Sequence, residues 1–240
     1  MPDPLASAPN ATLLATLGLG FLLGLKHALD ADHLVAVSTI VSREGSARST
    51  WRVGAWWGIG HSAAVLAASL GVIALRRAIP PRAAEVLEAG VGVMLVVLGA
   101  DLLRRLVKGE LRVHAHAHDG HTHLHAHVGD AAPAGHHHPG RRPFVVGVVH
   151  GLAGSAALTL FVVSTIRSPL MALSYVALFG IGTVVGMMVM TALVGLPIAL
   201  ATRTASGLSS RIQLLASIGS IGFGFWYAFR VVLESGWLRG

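Results

Sequence analysis

TLLATLGLGFLLGLKHALDADHLVAVSTIV, residues 12–41, is the stretch from which the fold can be read. A bilayer core of about 30 Å needs roughly 20 apolar helical residues, and this run exceeds that length with few charges. Inside it lies HALDADH, residues 27–33, which places two imidazoles and two carboxylates in an otherwise apolar span. Each acid at a helix centre costs about 2.5–3.5 kcal/mol on insertion scales, so the pair requires a compensating partner, and a bound dication supplies one. A segment longer than a straight crossing either tilts or breaks within the membrane. Here the polar cluster around Asp30 divides an apolar half, Leu13–Leu25, from a second, Leu34–Val41.

The rest of the chain repeats the apolar theme. Of 240 residues 53% are hydrophobic and only 12% charged, with a mean hydropathy of +0.67, which argues against a soluble globule. The absence of Cys excludes disulfide scaffolds, thiolate zinc sites and thiol catalysis. Further apolar runs at about 53–75, 86–107, 144–166, 170–200 and 212–233 predict an all-α polytopic membrane bundle of about six transmembrane helices. Pro197 is expected to kink or end the fifth. Small residues four apart, Gly54 with Gly58 and Gly182 with Gly186, predict close helix packing. The net charge of +7 resides mostly in the connections, where Lys and Arg set orientation, so no nucleic-acid partner is expected. Eleven Lys and Arg on one side against five on the other predict a cytoplasmic (inner) membrane protein with both termini outside. Residues 1–10 lack the basic region of a cleavable signal, so the first apolar segment is expected to be retained.

A different composition separates two halves, 1–113 and 144–240. The intervening segment, 114–143, holds His114, His116, His118, His121, His123, His125, His127, His136, His137 and His138. With Gly, Ala, Pro and Asp between them it cannot form a packed core, and the expectation is a disordered, solvated, cytoplasmic loop that captures divalent metal through neutral imidazoles. GLKHALDADHLVAV from Gly24 also aligns with GVVHGLAGSAALTL from Gly147, setting His27 against His150 and Asp32 against Ser155. If the match reflects a repeat, three segments per half make a 3+3 inverted repeat with a substrate site near the midplane.

On an ideal helix His27, Asp30 and His33 share an arc of ~120°, so all three can face one ion, whereas Asp32 lies ~100° outside it and needs local unwinding. The bland alternative, in which Lys26 pairs with the acids and the histidines hydrogen-bond across the bundle, suits a lone histidine better than this cluster. Imidazole ligands suit Ni, Cu, Zn and Fe, and the absence of Cys disfavours copper(I). His61 in GIGHSAA and His150 in VVHGLAG, each alone on an apolar helix, join the candidate metal set; Glu88 and Asp101, near segment ends, are weaker candidates for the ion path.

KHALDADHL, Lys26–Leu34, resembles the signature of the nickel/cobalt transporter (NiCoT/NicO) superfamily, a basic residue followed by His-Ala-x-Asp-Ala-Asp-His, and Gly60–Ser62 resembles the Gly-His-Ser of its next helix. The resemblance implies a secondary permease for nickel or cobalt, not an enzyme, with His27, Asp30, Asp32, His33 and His61 essential. It also implies no permanently bound cofactor, Ni2+ or Co2+ being the transported substrate. The chain departs from the eight-segment uptake members, which carry a helix before the signature. HGLAGSAAL, His150–Leu158, stands where an acidic motif is expected and looks more like shorter urease-accessory or nickel-export relatives. Uptake is the first expectation and efflux the alternative; a membrane-anchored metal store for urease or hydrogenase assembly is a third. A membrane metalloenzyme is disfavoured because no His-Glu-x-x-His helix is present. Expected partners are the divalent ion and the lipid bilayer, with a cytoplasmic metallochaperone or a second copy of the chain as further candidates.

Overall fold

Helix α1 (Ala8–His27) ends at the first histidine of the cluster, and α2 (Ala31–Val41) begins three residues beyond the last helical turn. Between them the amides of Leu29 and Asp30 bond back three residues, to Lys26 and His27, tightening the chain, and Asp30 is extended at φ −62, ψ 148. The two helices form one apolar span bent by 53°. Of the two expectations for the first segment, a tilt or a break, it is the break that is found, at residues 28–30.

The computed structural model describes residues 8–42, 47–75, 80–109, 112–118, 121–127, 140–152, 163, 165–166, 168–204 and 208–235. The remaining helices are α3 (Ala47–Leu75), α4 (Pro81–Val107), α5 (Arg141–Leu152), α6 (Pro169–Thr204) and α7 (Leu208–Glu234), so seven helices stand among the described residues. Four of them, α3, α4, α6 and α7, are long and apolar enough to cross a membrane, and the bent α1–α2 pair passes the same test taken together, as a broken span or a re-entrant loop, giving four to five candidate spans among the described residues. The chain is thus a helical, multi-pass membrane bundle. Of the expected segment 144–166 only the first part, within α5, falls among the described residues up to Leu152; residues 153–162, Ser155 included, lie outside them. Pro197 does not end its helix, since α6 continues to Thr204.

Lipid offers no hydrophobic force between helices, so close backbone approach and buried hydrogen bonds must hold the bundle. Gly54 and Gly58 of α3 face Met187 and Val184 of α6, and a Cβ at either would collide with backbone. Other glycine contacts are reciprocal between the halves. Gly24 of α1 meets the Phe179 carbonyl of α6, while Gly147 of α5 meets the Trp57 carbonyl of α3; Gly60 meets the Phe144 carbonyl, while Gly182 meets that of Phe21. Gly92 of α4 and Gly224 of α7 each face the other's carbonyl. Cross-helix hydrogen bonds run from Ser62 Oγ to the Gly180 carbonyl (3.0 Å), from Ser220 Oγ to that of Leu95 (2.8 Å) and from Gln213 Nε2 to that of Ser42 (3.0 Å), the last satisfying the end of α2. Leu22, Val97, Phe225 and Phe229 stay exposed on the outer faces, where lipid covers them.

Arg112–His118 (β1) and His121–His127 (β2) pair as an antiparallel hairpin, with His114 opposite His125, His116 opposite His123 and His118 opposite His121. His-x-His-x-His has the period of a strand, which suits this pairing. Residues 128–139, with His136, His137 and His138, lie outside the described residues. At the base of this segment Asp101 of α4 pairs with Arg105 and with Arg142 of α5, and Glu88 accepts the Tyr227 hydroxyl at 3.1 Å. Both acids are therefore engaged in pairs of their own.

Candidate metal site

The break between α1 and α2 decides which side chains converge. His27 is the last residue of α1, and the turn after it brings His33 back so that its Nδ1 donates to the His27 carbonyl at 2.8 Å. Because a carbonyl only accepts, the ring proton is on Nδ1 and Nε2 carries a bare lone pair, which is buried and has no partner. Asp30 does not cap α2 with its side chain; its Oδ2 accepts from His27 Nδ1 at 2.8 Å. That bond fixes the tautomer of His27 and leaves Nε2 facing His61 Nε2 at 3.1 Å. Since His27 Nε2 bears the lone pair, His61 is the donor, and His61 Nδ1 is left without a partner.

Asp32 is in the first turn of α2. One oxygen accepts from the His33 amide at 3.0 Å and the other from His150 Nε2 at 3.0 Å, so His150 Nδ1 is likewise bare and partnerless. His61 and His150 are fully buried, and His27, Asp32 and His33 are nearly so. Trp57 lies edge-on to His33, with ring centroids 5.4 Å apart, and Phe179 lies 5.6 Å from His27, closing the site with apolar rings.

On a straight helix Asp30 faces the ion and Asp32 does not. The bend exchanges them: the Asp32 carboxylate enters the cluster, and Asp30, its side chain 45% exposed, holds His27 from behind. His61 and His150, lone histidines in the sequence, both belong to the cluster. Two overlapping groups have ligand atoms within 4.8 Å of one another, His27 with His33 and His61, and Asp32 with His33 and His150. Metal–imidazole bonds of ~2.0–2.1 Å put neighbouring ligand nitrogens ~2.9–3.4 Å apart, and the His27–His61 separation falls in that range. Asp30 and Asp32 together bring two negative charges to neutral imidazoles, which matches a dication in a dry site. The donor set, imidazole and carboxylate without sulfur, suits nickel, cobalt or zinc.

Several contributors escaped the sequence reading. In GIGHSAA, Gly60 admits the Phe144 carbonyl of α5 and Ser62 bonds to α6, so both neighbours of His61 fix where it sits. His150 is flanked by Gly147 and Gly151, which press α5 on the carbonyls of Trp57 and His61. The spacing G-x-x-x-G around His150 carried that signal.

The NicO family model, described as high-affinity nickel-transport protein, matches residues 13–141, which include the α1–α2 cluster and His61. Urease accessory protein UreH of Bacillus sp. is 35% identical over 234 residues, covering 95% of this chain and 98% of that protein. A high-affinity nickel transport protein of Cupriavidus necator is 34% identical over 82 residues, 34% of this chain and 23% of its own length. Chloroplast protein FOR GROWTH AND FERTILITY 1 of Arabidopsis thaliana is 26% identical over 224 residues, 91% of this chain and 60% of that one. No solved structure matches the chain.

Proposed function

The chain belongs to the NicO family of high-affinity nickel-transport proteins, and from that premise we propose that it admits Ni2+ to the cytoplasm through the buried cluster at the α1–α2 break. The observation that carries this reading is a set of four buried imidazoles and one buried carboxylate at an interruption of a membrane helix, with His27 oriented by Asp30 and His33 by the His27 carbonyl. The hydrated ion exchanges water for His27, Asp32, His33, His61 and His150, while Asp30 acts through His27. The bilayer would otherwise make that dehydration prohibitive. A negative-inside potential favours entry by about 4.6 kcal/mol per 100 mV for two charges. No Gly-x4-Gly-Lys-Ser/Thr motif is present, which fits a secondary transporter. The histidines of the 114–138 segment collect the ion on the cytoplasmic side and hold it for transfer. The name of the Bacillus relative, a urease accessory protein, fits delivery to the assembly of a nickel enzyme. Cobalt is the second substrate of the same donor set.

The test is radiolabelled nickel accumulation in intact cells expressing wild type or His27→Ala at matched membrane levels. Accumulation above empty vector that the variant loses is the expected result. Depletion below empty vector that the variant reverses would mean efflux, the reading favoured if the histidine segment loads the site from the cytoplasm. No difference from vector would overturn both.

A further inference from the structure

We propose that the cluster is two successive ion sites sharing His33, and that the ion passes between them while His33 Nε2 remains its ligand; this rests on the reading of the cluster as the nickel path. The five side chains do not form one group. His27, His33 and His61 make one set, and Asp32, His33 and His150 the other. In each set two atoms sit 3.0–3.1 Å apart with a single proton between them: His61 Nε2 donates to His27 Nε2, and His150 Nε2 donates to Asp32 Oδ2. That is the separation at which an ion would bridge them, so each pair holds a proton where it could hold a metal. His33 is common to both sets, and its Nε2 has neither proton nor partner.

The protons have somewhere to go. His61 Nδ1 and His150 Nδ1 are both buried and partnerless, so when an ion takes either ring's Nε2 the displaced proton binds the Nδ1 of the same ring. The ring stays neutral, and the only change in site charge is the ion itself. His27 ends α1, whose Gly24 bears on the Phe179 carbonyl of α6, whereas His150 is on α5, whose Gly147 bears on the Trp57 carbonyl of α3. In the relay a small movement of α1 would open the first set and one of α5 the second.

The experiment is equilibrium nickel binding to the purified full-length chain, with the ten histidines at 114–138 replaced by asparagine so that only the buried cluster reports, paired with nickel flux in the otherwise unaltered chain. Asparagine at the cluster positions keeps a polar side chain where alanine would leave a cavity. His61→Asn and His150→Asn should each retain one bound nickel, with no more than one of the two weakened beyond about twofold, because each leaves the other set intact, and each should lower flux at least 100-fold. In the His61→Asn background His27→Asn should weaken binding less than threefold further, whereas Asp32→Asn should abolish it. In the His150→Asn background those two effects should be reversed. Losses that accumulate alike in every combination would show one ion held by five ligands, overturning the relay and leaving the transport site intact. Normal flux in His61→Asn or His150→Asn would also overturn it. Unaltered binding in His33→Asn would remove the site itself, and the relay with it.

Discussion

Gly147→Ala gives the sharpest handle on how α5 positions the cluster. A Cβ at Gly147 would collide with the Trp57 carbonyl and lie 2.8 Å from Trp57 Cδ1 and 2.9 Å from the His61 amide nitrogen. Ordinary carbon contacts need ~3.5–4.0 Å, so α5 must withdraw from α3 by about 1 Å. His150 is one turn further along the same helix and moves with it. Its 3.0 Å bond to Asp32 then opens to about 4 Å, beyond hydrogen-bond reach. Overpacking of this kind costs about 1–3 kcal/mol of stability, and a displacement of ~1 Å at a reacting site can cost about 100-fold in rate. Nickel flux in cells should therefore fall by roughly two orders of magnitude while the protein still reaches the membrane. Gly71→Ala is the control: it is in α3, where an added Cβ meets nothing within 4 Å, and it should preserve flux and raise stability by about 0.5–1 kcal/mol. Wild-type flux in Gly147→Ala, or equal losses in both variants, would refute the claim that the α3–α5 approach sets the position of His150.

Other consequences are separable. Asp30→Asn keeps an acceptor for His27 Nδ1 but removes a negative charge, so nickel affinity should weaken about 10- to 100-fold without loss of the folded protein, as measured by binding to the purified chain. Exchanging His114 with Ala115 and His116 with Ala117 keeps the histidine count but moves two rungs of the hairpin out of register with His125 and His123; nickel retained by this segment in a His33→Asn background should fall, and unchanged retention would mean that composition alone binds the metal. Ser62→Ala removes the 3.0 Å bond to the Gly180 carbonyl and should cost about 0.5–1.5 kcal/mol in unfolding experiments in detergent, with flux largely preserved. Collapse of the membrane potential with an ionophore should lower the steady-state nickel gradient, whereas an unchanged gradient would point to a coupling ion.

Much of the fold could be read directly because membrane segments are written in length and hydropathy, and the bounds of α3, α4, α6 and α7 lie near the apolar runs. The break at Asp30 was also legible, since two carboxylates cannot sit unpartnered in a continuous apolar helix. Their separate tasks were not, because the ~120° arc presumed a straight helix and the turn at residues 28–30 resets the phase, turning Asp32 inward and Asp30 back on His27. In the histidine segment composition argues only against a packed core, whereas the alternation of histidines has the period of a strand. His61 and His150 are isolated in sequence, and only the glycines that bring α3, α5 and α6 together make them neighbours. Their placement depends on tertiary packing, to which single-helix periodicity is blind.

Nickel K-edge X-ray absorption of the purified full-length chain, with the histidines at 114–138 replaced by asparagine, addresses the buried cluster most directly. The expected result is one nickel per chain held by imidazole nitrogens and carboxylate oxygen, with the imidazole signal reduced or the metal lost in His33→Asn. A spectrum of water or oxygen ligands alone, unchanged by His33→Asn, would contradict the assignment of this cluster as the place where the ion crosses.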